Sequence, residues 1–213
     1  MNVKIREYEL TCKCPHKLYE VMLDDVEIET AVTHDPGSVS AWIKKIEISN
    51  ESRLHRLIVG LDIEWLPNFT ATANNPVATI QLCVGKSCLI YQILHSTKIP
   101  RRLRNFLQND DYRFVGVGIK SDVKKLWDDY GVDVLNTVDL REWAAVELEK
   151  KELRTAGLKD LAKEIVGIEI VKPKSVTMSA WDQRWLSPKQ ICYACLDAYL
   201  SFEVGRLLSA WYN

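Results

Sequence analysis

The rhythm of apolar and polar positions changes twice along the 213 residues. From Lys4 to Thr33 the chain reads as extended and β-rich, in Lys4–Leu10 and again from Leu18 to Val32. Asp35-Pro36-Gly37-Ser38 is a turn that leads into a short helix over Val39–Ile46. Leu57–Trp65 is an apolar strand interrupted by two acids, Asp62 and Glu64. Val77–Val84 and Ser87–Tyr91, joined by Gly85-Lys86, predict a hairpin that continues the acidic strand as an antiparallel meander. Helical spacing then takes over. Helices are predicted over Pro100–Gln108, from a Ser121 cap through Trp127, and over Leu158–Val166, with strands at Phe114–Ile119 and Val134–Leu140. Ser187-Pro188-Lys189-Gln190 opens the best-defined helix, with Ser as N-cap, Pro at the first helical position and Gln three residues after the cap. Early strands followed by alternating strands and helices predict an α/β fold, a mixed central sheet flanked by helices.

Composition sets limits on that picture. A length of 213 residues, 47% hydrophobic and 27% charged, suits one folded domain over 1–213, with 1–38 as a β-rich extension of it, and excludes a disordered chain. No apolar run is long enough to span a bilayer, and Met1–Arg6 lacks the apolar centre of a secretory signal. The expectation is a soluble protein of cytoplasm or nucleus with no membrane partner. Net charge is -1, so nothing global marks a nucleic-acid binder. Basic clusters such as Arg101-Arg102-Leu103-Arg104 and Lys124-Lys125 read singly as solvated faces. Six cysteines are too few for a disulfide scaffold, and reduced, mostly buried thiols are expected. A zinc site from Cys12, Cys14, Cys192 and Cys195 is disfavoured because the second pair sits where a helix begins.

The chemistry lies in the acids. Strand side chains alternate, so Asp62 and Glu64 point the same way, among residues that seek burial. Two buried like charges are costly without a cation between them. Asp122 directly follows a buried-looking strand, at the strand-to-helix mouth where α/β sheets place ligands. Tyr193 and Asp197 are four apart and share one face of the last helix. Each feature has an ordinary account: Asp122 complements the positive end of its helix, and Tyr193 with Asp197 makes a helix-face pair. Together, three elements offer oxygen ligands from inward-facing sites, which suits hard cations such as Mg²⁺ or Mn²⁺.

The order Asp62-x-Glu64, Asp122, Tyr193-x-x-x-Asp197 resembles the DEDDy 3′–5′ exonucleases of the RNase H-like, DnaQ-like fold, and most closely the Werner-type exonuclease domain. Gly60–Trp65, Ile80–Cys83, Gly116–Asp122, Lys174–Trp181 and Tyr193–Tyr199 support it, and the resemblance runs from about Val39 to the C-terminus. It implies two divalent metal ions, Mg²⁺ or Mn²⁺, with Asp62 bridging them, Glu64 and Asp197 completing one site and Asp122 holding the second ion. It implies that Tyr193 orients the attacking water. Trp65 and Leu66 would contact the terminal nucleotide, against a core-packing reading for each.

The implied activity is release of nucleoside 5′-monophosphates from single-stranded nucleic acid. The size of the chain also resembles the small plant RISC-interacting clearing exoribonucleases, which implies a homo-oligomer, single-stranded RNA as substrate and a small-RNA effector protein as partner. A Werner-like 3′–5′ DNA exonuclease is the alternative within the family. Outside it stand a non-catalytic nucleic-acid-binding subunit and a purely structural one.

Overall fold

Eight strands form one mixed sheet, described here from a computed structural model that covers residues 3–8, 15–68, 70, 74–171 and 173–210. The strands are β1 (Val3–Tyr8), β2 (His16–Leu23), β3 (Val26–Thr33), β4 (Ile58–Trp65), β5 (Val77–Val84), β6 (Ser87–Tyr91), β7 (Arg113–Gly116) and β8 (Thr137–Asp139). Their spatial order is β1-β2-β3-β6-β5-β4-β7-β8. β4, β5 and β6 form the expected antiparallel meander, whereas β3 joins β6, β4 joins β7 and β7 joins β8 in parallel. The β-rich N-terminal segment is therefore continuous with the central sheet. β5 is buried along its whole length, as an interior strand covered on both faces must be.

The helices are α1 (Pro36–Ser49), α2 (Arg101–Leu107), α3 (Ile119–Tyr130), α4 (Leu140–Glu147), α5 (Leu158–Leu161), α6 (Lys174–Thr177) and α7 (Pro188–Ala210). Asp35 caps α1 by accepting from the Ser38 amide at 2.6 Å. Ser187 and Gln190 cap α7 reciprocally: Gln190 N–H donates to Ser187 Oγ at 3.3 Å and Ser187 N–H to Gln190 Oε1 at 2.9 Å. Among the described residues no helix is long and apolar enough to cross a membrane.

Several sequence expectations need correction. Ser121 does not cap α3. Gly118, at φ 74°, takes the left-handed turn out of β7 and stands at the cap, so Ser121 and Asp122 fall inside the first turn. β8 is only three residues long, and α4, not expected from the sequence, begins at once after it with Asp139 as its N-cap. The helix expected over Leu158–Val166 is α5 followed by a single π-helical turn, Ala162–Val166. Cys83 and Cys88, expected as thiols, face each other across the β5–β6 hairpin with Cα atoms 4.3 Å apart and are joined as a disulfide. A two-residue turn puts them directly opposite, which spacing along the chain alone does not reveal. Cys12 and Cys14 lie outside the described residues.

Helix α7 packs on β4 with backbone against backbone. A Cβ on Gly60 would stand 2.0 Å from the Ala198 carbonyl oxygen and 2.7 Å from the Phe202 nitrogen. Gly205 on α7 lies against β7, where an added Cβ would meet Val115 methyls at 3.0 and 3.3 Å. Glycine in β4 thus lets the helix backbone settle on the strand backbone. Gly60→Ala is expected to lower stability by about 3 kcal/mol because the helix must be displaced. Gly205→Ala meets only side-chain methyls and gains about 1 kcal/mol of helix propensity, so it should come out near neutral. Urea denaturation of the two variants checks this; equal losses would contradict the backbone-contact account.

Candidate active site

Asp62 and Glu64 lie on the α7-facing side of β4, opposite Gln81 and Thr79 of β5. A register shift between Glu64 and Trp65 ends the regular ladder where the strand leaves this face. Asp197, one residue before the Ala198–Gly60 contact, is buried at 5% exposure and comes down onto the two strand acids. Carboxylate oxygens of Asp62, Glu64 and Asp197 all lie within 4.8 Å of one another. Three converging carboxylates repel unless a cation sits among them. Three hard oxygen donors at that spacing fit a divalent cation of the Mg²⁺ or Mn²⁺ type.

Asp122 stands outside that triad, in the first turn of α3. Its carboxyl is pushed up to about 7, first by burial and then by the negative charge of Asp139, with Arg141 opposing. Asp139 is a residue that the sequence reading missed. It accepts from the Gly118 amide at 3.1 Å and from Arg141 through N–H, Nε and Nη2 at 3.0, 2.9 and 2.7 Å. Burial raises the Asp139 carboxyl, but these hydrogen bonds and the Arg141 charge outweigh it and hold the group below its ordinary value. Asp139 thus ties the turn that carries Asp122 to the start of α4. The available signal was an Asp directly ahead of a helix.

Tyr193 sits one turn before Asp197 on α7. Its phenol receives a hydrogen bond from Thr177 Oγ1 at 3.4 Å, and its ring lies 5.9 Å from that of Trp181 at 57°. Burial, then the Asp197 charge, then Glu64 and Asp62 raise the Tyr193 phenol far above its ordinary value, against the Thr177 hydrogen bond. In the metal-free site these surroundings favour the neutral phenol. Trp181 Nε1 donates to the Thr177 carbonyl at 3.3 Å, and Gln190 Nε2 donates to Ser179 Oγ and the Ala180 carbonyl, both at 3.1 Å. The α7 cap therefore also clamps the segment that presents Thr177 and Trp181 to Tyr193. Thr177 carried no sequence signal beyond lying in the stretch Lys174–Trp181.

Trp65 is half-buried and packs against the core, with Lys125 Nζ 5.2 Å above its ring. Lys125 in turn reaches Asp129 at 3.1 Å and the Asn75 carbonyl at 2.8 Å, while Asp129 accepts from the Val77 amide at 2.8 Å. Leu66 is also half-buried, and its carbonyl accepts from Asn75 Nδ2 at 3.0 Å. Trp65 ends β4 just past its acids and Leu66 follows it, beside Asn75, whose carbonyl accepts from Lys125 of α3.

Residues 32–209 match the family model described as 3′-5′ exonuclease. The chain belongs to the 3′–5′ exonuclease family. It is 36% identical over 154 residues to a 3′-5′ exonuclease of Arabidopsis thaliana, covering 70% of this chain and 52% of the relative. It is 36% identical over 152 residues to the bifunctional 3′-5′ exonuclease/ATP-dependent helicase WRN of Mus musculus, covering 71% of this chain and 11% of that protein. This exonuclease chain thus spans about half of the first relative and a small part of the second. Among solved structures it resembles Escherichia coli RNase D, with TM-score 0.68, 18% identity and coverage of 84% of this chain and 44% of that one. It resembles the Aedes aegypti Nibbler EXO domain equally well, with TM-score 0.67, 18% identity and coverage of 84% and 87%. These likenesses establish the RNase H-like exonuclease fold.

Asp122 sets a pH signature in metal-free buffer. Its folded value of about 7 lies above that of an unfolded Asp, so ionising it costs stability as pH rises between the two. Asp122→Asn is expected to stabilise the metal-free exonuclease by on the order of 2 kcal/mol near about pH 8 and by almost nothing near about pH 4. Denaturation with chelator present at both pH values measures the difference; a gain independent of pH would remove the titration account.

Proposed function

We propose that this exonuclease removes nucleoside 5′-monophosphates from the 3′ end of single-stranded nucleic acid, RNA in preference to DNA, using two divalent ions. The observation that carries this reading is the convergence of the half-buried Asp62 and Glu64 with the buried Asp197. Asp62, Glu64 and Asp197 would hold one ion, Asp62 and Asp122 the other. When bound, such ions lower the pKa of water and offset charge on the leaving oxygen. Water adds across the terminal P–O3′ bond, leaving a 5′-phosphate on the released nucleotide and a 3′-hydroxyl on the shortened strand.

The role of Tyr193 follows from its proton. A phenol that stays neutral is not a general base; it donates a hydrogen bond and orients the attacking water beside Asp197. Thr177 and Trp181 fix its ring for that task. Trp65, with Lys125 over its ring, directly follows Glu64, and it and Leu66 would pack on the terminal nucleotide.

We further propose that 1–213 acts as one catalytic domain in cytoplasm or nucleus, that it self-associates, and that it clears fragments alongside a small-RNA effector protein. The RNA preference, the self-association and the effector rest on the likeness in size to the plant clearing exoribonucleases.

Labelled RNA and DNA strands, single and duplex, test the reading directly. Wild type should shorten single-stranded RNA from its 3′ end with Mg²⁺ or Mn²⁺ and stop on chelation. Asp62→Ala should lose at least roughly 10³-fold, and Tyr193→Phe roughly 10²-fold, in kcat. Equal rates in wild type and Asp62→Ala would sink the mechanism, and faster DNA than RNA cleavage would reverse the substrate preference. Light scattering that shows a monomer at micromolar concentration would remove self-association.

A further inference from the structure

The sheet face that carries the acids extends well past them. Register places Asp62 opposite Gln81, Gln81 opposite Ile90, Ile90 opposite Val32, and Val32 opposite Lys17. Residues directly opposite share a face, so Lys17 lies on the face of Asp62, four inter-strand steps or about 19 Å away. β4, β6 and β3 run in the same direction, so Gln92 and His34, just past β6 and β3, border the sheet end where Trp65 leaves β4.

At that far corner lies a pocket of about 380 Å³ walled by Lys17, His34, Gln92, Arg184, Trp185 and Ile191. Trp185 is 69% exposed, and Lys17 Nζ stands 5.7 Å over its ring. Arg184 meets His34 Nε2 at 3.5 Å, and among the described residues no carboxylate pairs with it. Of the nearby acids, Glu7 pairs with Lys17 at 2.9 Å and Asp35 caps α1. Burial, then the Arg184 charge, lowers the His34 imidazole, so at neutral pH it serves as a hydrogen-bonding group.

The corner is held in place. Gln92 Nε2 donates to the carbonyls of Gln183 and Arg184 at 3.1 and 3.0 Å, and His95 Nε2 meets the Asp182 carbonyl at 2.9 Å. One segment, 177–186, thus touches Tyr193 through Thr177 and Trp181 at one end and builds the pocket at the other. An exposed indole sharing a pocket with two cations is what a passing single strand requires: stacking for a base and positive charge for its phosphates.

We propose that this pocket is an upstream subsite for the substrate strand, in which Trp185 stacks one base and Lys17 and Arg184 contact the adjoining phosphates while the 3′ end lies at the acids. The subsite rests on the single-stranded substrate proposed above. It gives a chain of net charge -1 a local means of holding a polyanion a few nucleotides from the bond that is cut.

The test compares full-length wild type, Trp185→Ala and Lys17→Gln/Arg184→Gln on a dinucleotide and on a strand of about twelve nucleotides. A dinucleotide engaged at the acids does not reach the corner, so its hydrolysis reports the intact centre and a folded variant. Trp185→Ala should raise KM for the long strand roughly tenfold, with kcat and dinucleotide hydrolysis within about twofold of wild type. Lys17→Gln/Arg184→Gln should raise the same KM and reduce the slope of log KM against log salt by about one per lost phosphate contact. Unchanged KM and salt slope in an active enzyme would overturn the subsite alone. A wild type that shortens no strand would overturn the single-strand reading and the subsite with it.

Discussion

Everything at the site depends on the seating of one helix on one strand. Gly60 lets the backbone of α7 rest on the backbone of β4 at Ala198, and Asp197 is the residue immediately before that contact. The height of Asp197 over Asp62 and Glu64 is therefore set by hard atoms, not by side-chain rotamers. Backbone contacts of this kind have little room to relax, which is why a ligand geometry can be held by elements far apart in sequence. At Gly205 the helix meets side-chain methyls of Val115 instead, a softer contact with β7.

Onto that frame the fold places charges that oppose each other. Asp62, Glu64 and Asp197 crowd together, and Asp122 is half-buried near Asp139. Asp139 is satisfied by Arg141 and Gly118, so it keeps its charge; Asp122, less supported, gives up its own near neutral pH. The same logic protonates Tyr193. Such a centre stores electrostatic cost in the empty protein and returns it when positive charge arrives. The surrounding hydrogen bonds, from Gly118 to Asp139 and from Gln190 to Ser179 and Ala180, keep these side chains from relaxing apart.

Much of this was legible in the sequence because local rules governed it. Period two put Asp62 and Glu64 on one face, helical spacing paired Tyr193 with Asp197, and Ser187-Pro188-Lys189-Gln190 marked the start of α7. The meander of β4 to β6 followed from a turn and two β-rich runs. What escaped was decided by partners distant in sequence. β8 is three residues long and exists because it pairs with β7, and α4 begins where Asp139 finds Gly118. The cap of α3 passed from Ser121 to Gly118 because the exit from β7 needs a left-handed residue. The Cys83–Cys88 pairing depends on hairpin register. Asp139, Thr177 and Arg184 carry no motif; only their neighbours give them roles.

The separation between the strand acids and the helix acid also has a temporal side. Asp62 precedes Asp197 by 197 − 62 = 135 positions, and α7 is the last element described. During synthesis at about 5–20 residues per second, roughly seven to twenty-seven seconds pass between the emergence of Asp62 and that of Asp197. Until α7 docks, Gly60 faces an empty groove and the acids of β4 have no third partner. The cluster of three acids is thus complete only once α7 has docked on β4.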